Sequence, residues 1–488
     1  MGGSLLQLVA KGSQDVYLTN NPQISFFKYI FKRHTNFCIE SREVQFVGSA
    51  NPFSDRSNQS ITITVPRLGD LMHSVYLQVE LPEITNLNPG VGEEQPSYLN
   101  SLGHSLIDKV ELEIGGNKID EQTGEWMEIW SQLSYSEAKQ SGFKYMLGRV
   151  TSVNTSTYDD KPRGPLVLQI PLQFWFCKYI GSALPLVALQ FHEVKIIVKF
   201  KDITGVISNG VSYHKVTQSG TTLTSVGTTI TANDVGKTVT YLTLNNVTDT
   251  LTGATTVNNS KTITDAVDVK LTPSNAAGIA TEINTIKNSS NLKVSVFIDY
   301  IFLDSYERQK MATMKHLYII EQVQNPTSKN SDVNGVTSGR FDFNLNHPIK
   351  SLYWFLRPRK TNYENMYAFN FSDTLNTTFN NQDDAFLTCK LDFNGIDRTE
   401  VRNAKYFRLT QPFQHHTRNS NLFVYVYSFA LKPEELQPSG TCNFSRIDKA
   451  SLTYTVKTGI LNRELVLYGL NYNYLKIDSG MGGLQFSN

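Results

Sequence analysis

Charged residues are scarce in this sequence. Only 18% of the 488 residues are charged, and 45 Lys and Arg against 44 Asp and Glu leave a net charge of +1. Soluble domains usually carry about 25% charged residues. So weak a field gives no electrostatic drive toward nucleic acid or an anionic membrane surface. The composition therefore argues against a genome-packaging role and against direct nucleic-acid binding.

Cysteine is equally scarce, and its four copies are far apart: Cys38, Cys177, Cys389 and Cys442. They form no C-x-x-C pair of the kind found in zinc and redox sites, and a chain of this length needs no disulfide framework. We predict four free thiols, which suits assembly in a reducing cytosol.

Long hydrophobic runs are missing as well. Leu5 to Ala10 is too short for a secretory signal. The most membrane-like run, Phe174 to Phe191, is interrupted by Lys178, Gly181 and Pro185. Because a spanning helix needs about 20 apolar residues without such breaks, we expect core strands and a turn here. The sequence predicts a soluble protein without membrane insertion.

No arrangement of side chains points to catalysis. The histidine pair His415–His416 follows a proline, and we interpret both as exposed loop residues, since neighbours on an extended chain point to opposite sides. A glycosidase needs two carboxyls across a cleft. The other candidates look like a solvated strand face, a basic loop and a terminal turn: Glu111 and Glu113; Arg357, Arg359 and Lys360; Gly480 to Gly483. We predict no enzyme and no catalytic, cofactor-binding or metal site.

Aromatic residues, in contrast, are plentiful, with 23 Tyr and 27 Phe. In the stretch from Phe423 to Ala430 they alternate with small, mostly apolar residues, as in a strand buried between two layers. Similar short patterns recur along the chain, most of them ended by Pro or Gly: Ile61–Val65, Val75–Leu81, Val110–Ile114, Leu166–Leu172, Val194–Phe200, Leu317–Val323, Ser451–Val456 and Leu465–Leu475. One short helix is predicted over Glu125 to Tyr135. Many short strands with few helices indicate an all-β sandwich or barrel.

Residues 203–291 differ from the rest of the chain. Thr, Asn, Ser, Gly and Val dominate, and aromatic residues almost disappear. Thr221 to Thr231 and Val239 to Leu244 fit weak, polar strands. A structureless loop of this length is unusual in a compact domain, so we expect a small β-rich surface insertion. A second polar stretch, Thr361 to Asn381, is predicted to be an exposed loop.

Two patterns occur twice and in the same order. His347-Pro348 followed by Ser351 to Trp354 resembles Val65-Pro66 followed by Ser74 to Leu77. Ile298 to Leu303 resembles Leu470 to Leu475. The first copy is longer, and the segment 203–291 accounts for most of the difference. The sequence therefore predicts two tandem copies of one β domain, with the insertion in the first.

The first 36 residues form an arm. Ile24, Phe27, Ile30 and Phe31 recur at roughly helical spacing. Two interpretations remain open, of which the first is favoured: a short helix packed on its own barrel, or an arm that docks on a neighbour or an inner layer.

Three stretches resemble the major capsid proteins of large nucleocytoplasmic DNA viruses. They lie near both ends of the chain and cover most of its length between them: Gln14 to Thr19 with Asn21 to Phe37; Leu431 to Asp448; Ser479 to Leu484. The resemblance implies two tandem eight-stranded antiparallel jelly rolls, with few short helices and a large β-rich surface insertion in the first roll. It also implies structural hydrogen bonds by Asn443, Ser445, Arg446 and Asp448, and we add a hypothesis of an ion pair between Arg446 and Asp448.

The same resemblance gives the domain division and the partners. We expect an N-terminal arm (1–36), a first jelly roll (37–305, insertion 203–291), a connector (306–316) and a second jelly roll (317–488). Such proteins form homotrimers with a pseudo-hexagonal outline that tile an icosahedral shell. The implied partners are neighbouring capsomers, minor capsid and penton proteins, and glycans on the outer surface, in a virion assembled in the host cytoplasm.

Two alternatives belong to other classes. Thr- and Asn-rich loops with exposed aromatics would also suit a β-sandwich carbohydrate-binding or glycoside-cleaving protein, which should be monomeric and bind sugars. A minor or penton capsid protein would usually have one roll, which the internal repeat argues against. The role of the insertion stays open between glycan display, host attachment and trimer locking.

Overall fold

The structure is a computed structural model. It describes residues 7–49, 51–53, 59–84, 97–148, 165–208, 212–225, 237–241, 248–253, 256–272, 276–326, 332–359, 369–373 and 383–486. The strands in these ranges, labelled in chain order, are β1 (Phe37–Val44), β2 (Ser60–Thr64), β3 (Leu71–Leu81), β4 (Ser97–Tyr98), β5 (Ile107–Ile114), β6 (Asn117–Thr123), β7 (Leu166–Pro171), β8 (Leu184–Pro185), β9 (Val194–Phe200), β10 (Ile207–Ser208), β11 (Ser212–Ser225), β12 (Thr238–Tyr241), β13 (Thr248–Gly253), β14 (Thr256–Thr272), β15 (Lys293–Leu303), β16 (His316–Gln324), β17 (Asp332–Val333), β18 (Ser338–Phe343), β19 (Pro348–Pro358), β20 (Phe386–Phe393), β21 (Ile396–Asp397), β22 (Arg402–Asn403), β23 (Tyr425–Ser428), β24 (Cys442–Asn443), β25 (Ala450–Val456), β26 (Arg463–Asp478) and β27 (Met481–Leu484).

Helices in the described ranges are short. The α-helices are α1 (Val16–Thr19), α2 (Leu102–Leu106), α3 (Gly124–Ser134), α4 (Glu137–Met146), α5 (Trp175–Lys178), α6 (Ala276–Lys287), α7 (Ser305–Thr313) and α8 (Gln411–His415). Single turns of 3₁₀-helix occur at Ile180–Ser182, Ile203–Gly205 and Phe444–Arg446, and a π-helical turn at Tyr406–Thr410 precedes α8. No helix in the part of the chain that the structure describes is long and apolar enough to cross a membrane.

Two antiparallel sheets form the first sandwich. One has the order β1-β15-β3-β7, and the other has the order β2-β9-β5-β6. Alternate residues of β3 point inward, as the period-2 pattern from Val75 to Leu81 predicts, and they fill a core with β5 and β9. A tight turn at Gly115-Gly116 joins β5 to β6, and both glycines have positive φ.

The second sandwich repeats this arrangement. Its sheets run β16-β26-β19-β23 and β18-β25-β20-β21. Trp354, Tyr425, Leu452 and Leu467 belong to a core that is separate from that of the first sandwich. The two-copy prediction is confirmed at the level of strand order, since β3 and β15 pair as β19 and β26 do.

The second of the two repeated patterns was aligned one residue too far along the chain. Ile298 pairs with Val75 in the first sandwich, and the matching Leu352 pairs with Gly469, not with Leu470. Each pair of strands contains a bulge beside this point. A one-residue slip exchanges the two faces of a strand, so Leu470 faces outward where Ile298 faces the core.

The predicted β-rich insertion lies between β9 and β15. Strands β11 to β14 form a four-stranded sheet with its own small core around Val239 and Leu251. The predicted strands are found in part: β11 ends at Ser225 and β12 at Tyr241, and residues 226–236 and 242–247 lie outside the described residues. Helix α6 was not predicted, and it packs Ile279 and Ile283 onto the first core.

Four local predictions are wrong. Residues 174–191 form helix α5, a 3₁₀ turn and the two-residue strand β8 instead of core strands and a turn. Ile24 to Phe31 form no helix, and their side chains are exposed instead of packed on the barrel. The predicted exposed loop 361–381 contains the buried residues Phe369 to Ser372, while 361–368 and 374–381 lie outside the described residues. The predicted strand at Phe423 begins only at Tyr425, because Phe423 has a φ of 59°.

Candidate functional site

Helix α3 forms an aromatic contact between the two sandwiches. Thr123 caps the helix by accepting a hydrogen bond from the Trp126 N–H. The apolar face of the helix consists of Trp126, Ile129, Trp130 and Leu133. It is buried against β19 and β26 of the second sandwich, not within the first.

Aromatic rings make up the centre of this junction. The Trp126 ring lies 5.1 Å from the Tyr353 ring and 5.6 Å from the Tyr468 ring, measured between centroids. The Tyr468 hydroxyl shares a hydrogen bond of 2.8 Å with the Thr123 hydroxyl. At the other end of α3, the Arg418 Nε donates to the Gln132 carbonyl oxygen at 3.0 Å. The helix of one sandwich is thus held at both ends by the other.

A charged triad borders the aromatic centre. The Arg357 guanidinium of β19 donates to Glu125 of α3 at 2.7 Å and to Glu464 of β26 at 2.8 Å. The prediction of a solvated loop is therefore wrong for Arg357. Arg359 does lie near the surface, where it pairs with Asp332, and Lys360 is outside the described residues.

A second group of charges is buried between the two sandwiches. The carboxylate of Glu321 in β16 accepts from Lys350 and from the Lys178 ammonium at 3.5 Å, and Lys350 is wholly buried. Burial lowers the pKa of both lysines, and Glu321 opposes that shift. The Tyr179 hydroxyl lies 3.3 Å from the same carboxylate. Lys178 and Tyr179 come from the first sandwich, so this group also joins the two.

Asp120 connects the edges of the two sandwiches. It lies in β6, and its carboxyl accepts the backbone N–H of Val323 in β16 at 3.1 Å. Desolvation raises its pKa to about 7, against the opposing effects of that hydrogen bond and of Gln122. The sequence analysis missed Asp120, Glu321 and Lys350. A charge within an otherwise apolar strand pattern was the available signal for the last two.

Two other surfaces differ from this junction, because their apolar side chains are exposed: the arm with β1, and a segment of the second sandwich. Phe26 and Phe27 of the arm are 91% and 101% exposed. Exposure continues along β1, where Val44 alone is buried. On the second sandwich, apolar side chains are exposed along the segment from β21 to α8: Ile396, Val401, Leu409 and Phe413. Cys38 is exposed, and all four cysteines are free thiols, as predicted.

The structure separates the rejected catalytic candidates from one another. His416 is buried, with Nδ1 2.8 Å from Glu434, so the prediction of exposure is wrong for this histidine. Glu111 pairs with Lys109 on the outer face of a sheet. The described residues contain no group of three or more His, Cys, Asp or Glu placed to hold a metal ion.

The turn that contains Asn443 and Ser445 makes some of the structural hydrogen bonds that the resemblance implies. Asn443 accepts the N–H of Ser445 at 3.0 Å, and the Ser445 hydroxyl accepts the N–H of His347 at 2.9 Å. The implied hydrogen bonding is confirmed for these two residues. The hypothesised ion pair is wrong, because no contact within 4 Å joins Arg446 and Asp448, both of which are described.

Comparison with known proteins decides the family. The model described as "Large eukaryotic DNA virus major capsid protein" matches residues 307–483, and the one described as "Major capsid protein N-terminus" matches residues 25–245. This chain belongs to the large eukaryotic DNA virus major capsid protein family. The resemblance found in the sequence is therefore confirmed.

Relatives and solved structures agree. Major capsid proteins of Phaeocystis pouchetii virus and Paramecium bursaria Chlorella virus 1 are 34% and 32% identical to this chain, and each match covers all of both chains. A quasi-atomic model of the PBCV-1 virus capsid has a TM-score of 0.64 at 25% identity, covering 95% of this chain and 100% of that one. The Faustovirus major capsid protein shares the fold, with a TM-score of 0.61 at 14% identity over 97% and 96% of the two chains.

The family match settles the class of function. The chain is a structural, non-enzymatic capsid protein with the double jelly-roll fold, located in the virion capsid together with other capsid components. The surfaces that matter are therefore contact surfaces. The two sandwiches are called the first and second roll from here on.

Proposed function

We propose that three copies of this chain form a homotrimer whose six rolls give a pseudo-hexagonal capsomer, and that these capsomers tile an icosahedral shell. The observation that carries the proposal is the asymmetry of the junction between the rolls. The first roll contributes a helix, α3, and the second contributes the outer face of the sheet that contains β19 and β26.

Such a contact leaves the helix of the second roll and the outer sheet face of the first roll without a partner roll within the chain. The second roll has a helical segment at 404–415, after β22, at the place where α3 follows β6 in the first roll. The first roll has the outer face of the sheet β1-β15-β3-β7, on which Tyr76 and Phe297 are half-buried and Ile39 is exposed. The helix of one chain would dock on the sheet of the next.

Contacts between unlike surfaces generate a closed ring when the rotation closes. If the contact between chains has the same geometry as the contact between rolls, the same rotation about one axis relates each roll to the next. The proposed ring closes after six rolls, which belong to three chains. The exposed Leu409 and Phe413 supply the apolar area that such a contact needs.

The roles of the remaining parts belong to the same proposal. We divide the chain into an arm (1–36), the first roll (37–305, with the insertion 203–291), a connector (306–316) and the second roll (317–488). The exposed arm suits contact with neighbouring capsomers or with minor capsid and penton proteins. The insertion suits the outer surface, where glycans would be carried, and assembly would take place in the host cytoplasm.

The mass of the purified protein in solution tests the proposal. Light scattering on a sizing column should give a single species at three times the chain mass of 55.0 kDa. Electron microscopy of that species should show a six-sided outline. A folded chain that remains monomeric at high concentration would contradict the trimer. A monomer that also binds glycans would favour the carbohydrate-binding alternative.

A further inference from the structure

The triad at the junction between the rolls has a counterpart at the two open surfaces of the chain. In the junction, Arg357 of β19 is held between Glu125 of α3 and Glu464 of β26. Arg357 and Glu464 are cross-strand partners, whereas Glu125 comes from the other roll. The triad therefore has two members on the sheet and one on the helix that docks there.

Positions in α3 can be matched to positions in the segment 404–415 by the residues that each helix buries in the core of its own roll. Glu125 is the second residue of α3, and Lys405 is the second residue of the helical segment 404–415. Two residues further on, Met127 is buried in the core of the first roll and Phe407 in the core of the second. Lys405 therefore occupies in the second roll the position of Glu125 in the first.

Positions in β3 of the first roll can be matched to positions in β19 of the second roll by their core residues and their cross-strand partners. Val75, Leu77 and Val79 of β3 line the first core as Leu352, Trp354 and Leu356 of β19 line the second. In this alignment Glu80 takes the place of Arg357. Its cross-strand partner is Lys293, just as the partner of Arg357 is Glu464.

All three charges are reversed between the two sets. The junction has Glu on the helix and an Arg–Glu pair on the sheet, and the open surfaces have Lys405 on the helix and a Glu80–Lys293 pair on the sheet. Lys405 and Lys293 are exposed, and Glu80 is half-buried. Among the described residues, none of these three has an ion pair within 4 Å.

We propose that Lys405 of one chain binds Glu80 of the next chain, beside Lys293, as a charge-reversed copy of the junction triad. This inference rests on the proposed trimer and names the residues that join its chains. The ring positions of Trp126, Tyr353 and Tyr468 are taken by Tyr406, Tyr76 and Phe297, so the contact between chains has the same aromatic centre.

The reversal gives the ring its alternation. A helix from a first roll that docked on another first roll would place Glu125 against Glu80. A helix from a second roll that docked on a second roll would place Lys405 against Arg357. Like charges brought together at an interface strongly disfavour binding. Only first-to-second contacts therefore remain favourable, and first and second rolls must alternate.

Charge-exchange variants of the full chain test the pairing by sedimentation velocity over a concentration series. Lys405→Glu should raise the trimer dissociation constant at least about tenfold, as expected for a broken charge pair at an interface. The triple variant Lys405→Glu, Glu80→Arg, Lys293→Glu restores the junction signs and should return the constant to within about threefold of the wild-type value. The control, Lys139→Glu, changes an exposed lysine of α4 outside both triads.

Each outcome separates this inference from the proposed trimer. A trimeric wild type with an unchanged Lys405→Glu variant overturns the pairing and leaves the trimer standing. Weakening without recovery in the triple variant also overturns it. A monomeric wild type overturns the trimer itself. Circular dichroism on every variant distinguishes a weakened contact from a failure to fold.

Discussion

Asp120 is an unusual residue for a place where two rolls meet, because it is only 3% exposed. Transfer of a carboxylate from water into such a site is costly, so the neutral form is favoured. Two donors, the N–H of Val323 and the amide of Gln122, stabilise the charged form but do not outweigh burial. The pKa of Asp120 is consequently raised to about 7.

This shift predicts a pH-dependent stability. The unfolded chain releases the Asp120 proton near pH ~3.9, and the folded chain retains it to about pH 7. The folded state therefore binds more protons in this window, and its free energy of unfolding falls as pH rises from about 4 to about 7. Asp120→Asn should reduce that fall by roughly 1–4 kcal/mol. The measurement is urea unfolding at pH 5 and pH 8, and equal pH slopes for the two proteins would contradict it.

The hydrogen bonds of Asn443 and Ser445 were predicted from the family resemblance, and residue-level predictions made without it failed where burial decides. The Ser445 N–H donates to Asn443 two residues away, whereas the Ser445 hydroxyl accepts from the distant His347 N–H. Arg357 and His416 were taken for surface residues, yet both face partners that are distant in sequence. Nothing in their immediate neighbours carries that information.

Helix α3 begins at a glycine for a steric reason. A Cβ on Gly124 would lie 2.6 Å from the carbonyl oxygen of Ile107 and would also overlap the carbonyl of His104. Both atoms belong to the backbone and cannot move aside like a flexible side chain. The close approach fixes where α3 leaves the first roll, and so where its tryptophans meet the second.

Gly124→Ala should therefore destabilise the protein by about 1–3 kcal/mol, as overpacking usually does. The matched control is Gly142→Ala in α4, where a Cβ meets nothing within 4 Å. There the better helix propensity of alanine should stabilise the protein by up to about 1 kcal/mol. Denaturant unfolding of both variants provides the comparison. Equal effects at the two sites would show that the helix start is not sterically restricted.

Among whole elements, β2 and β9 were predicted with nearly correct bounds, whereas β3 begins at Leu71, before the predicted start at Val75. The repeat was found, but its second pattern was aligned one residue too far along β26, since Ile298 corresponds to Gly469 and not to Leu470. The helix expected at Ile24 to Phe31 has the right spacing, but its side chains pack on none of the residues that the structure describes. Spacing alone stabilises a short helix poorly, since most helical stability comes from tertiary contacts.

At the scale of the molecule, the arm is the part of the chain that does not pack on either roll. Every described residue from 7 to 36 is exposed, including Phe26, Phe27 and Tyr29. A run of exposed aromatics on a soluble protein marks a site of interaction. Lys28, Lys32 and Arg33 lie among them, so the arm combines apolar area with positive charge.

Removal of the arm should therefore affect assembly and not folding. A chain that begins at Phe37 should unfold within about 1 °C of the full chain, because substitutions that remove no buried contact change stability little. Differential scanning calorimetry measures this, and microscopy of assembled shells measures the loss of contacts between capsomers. A matched variant, Phe26→Ser with Phe27→Ser, removes two of the exposed rings from a chain of full length and should weaken assembly in the same direction. A fall of several degrees in the unfolding temperature of the truncated chain would mean that the arm packs on its own rolls, and full-sized shells from both variants would mean that it binds nothing in the capsid.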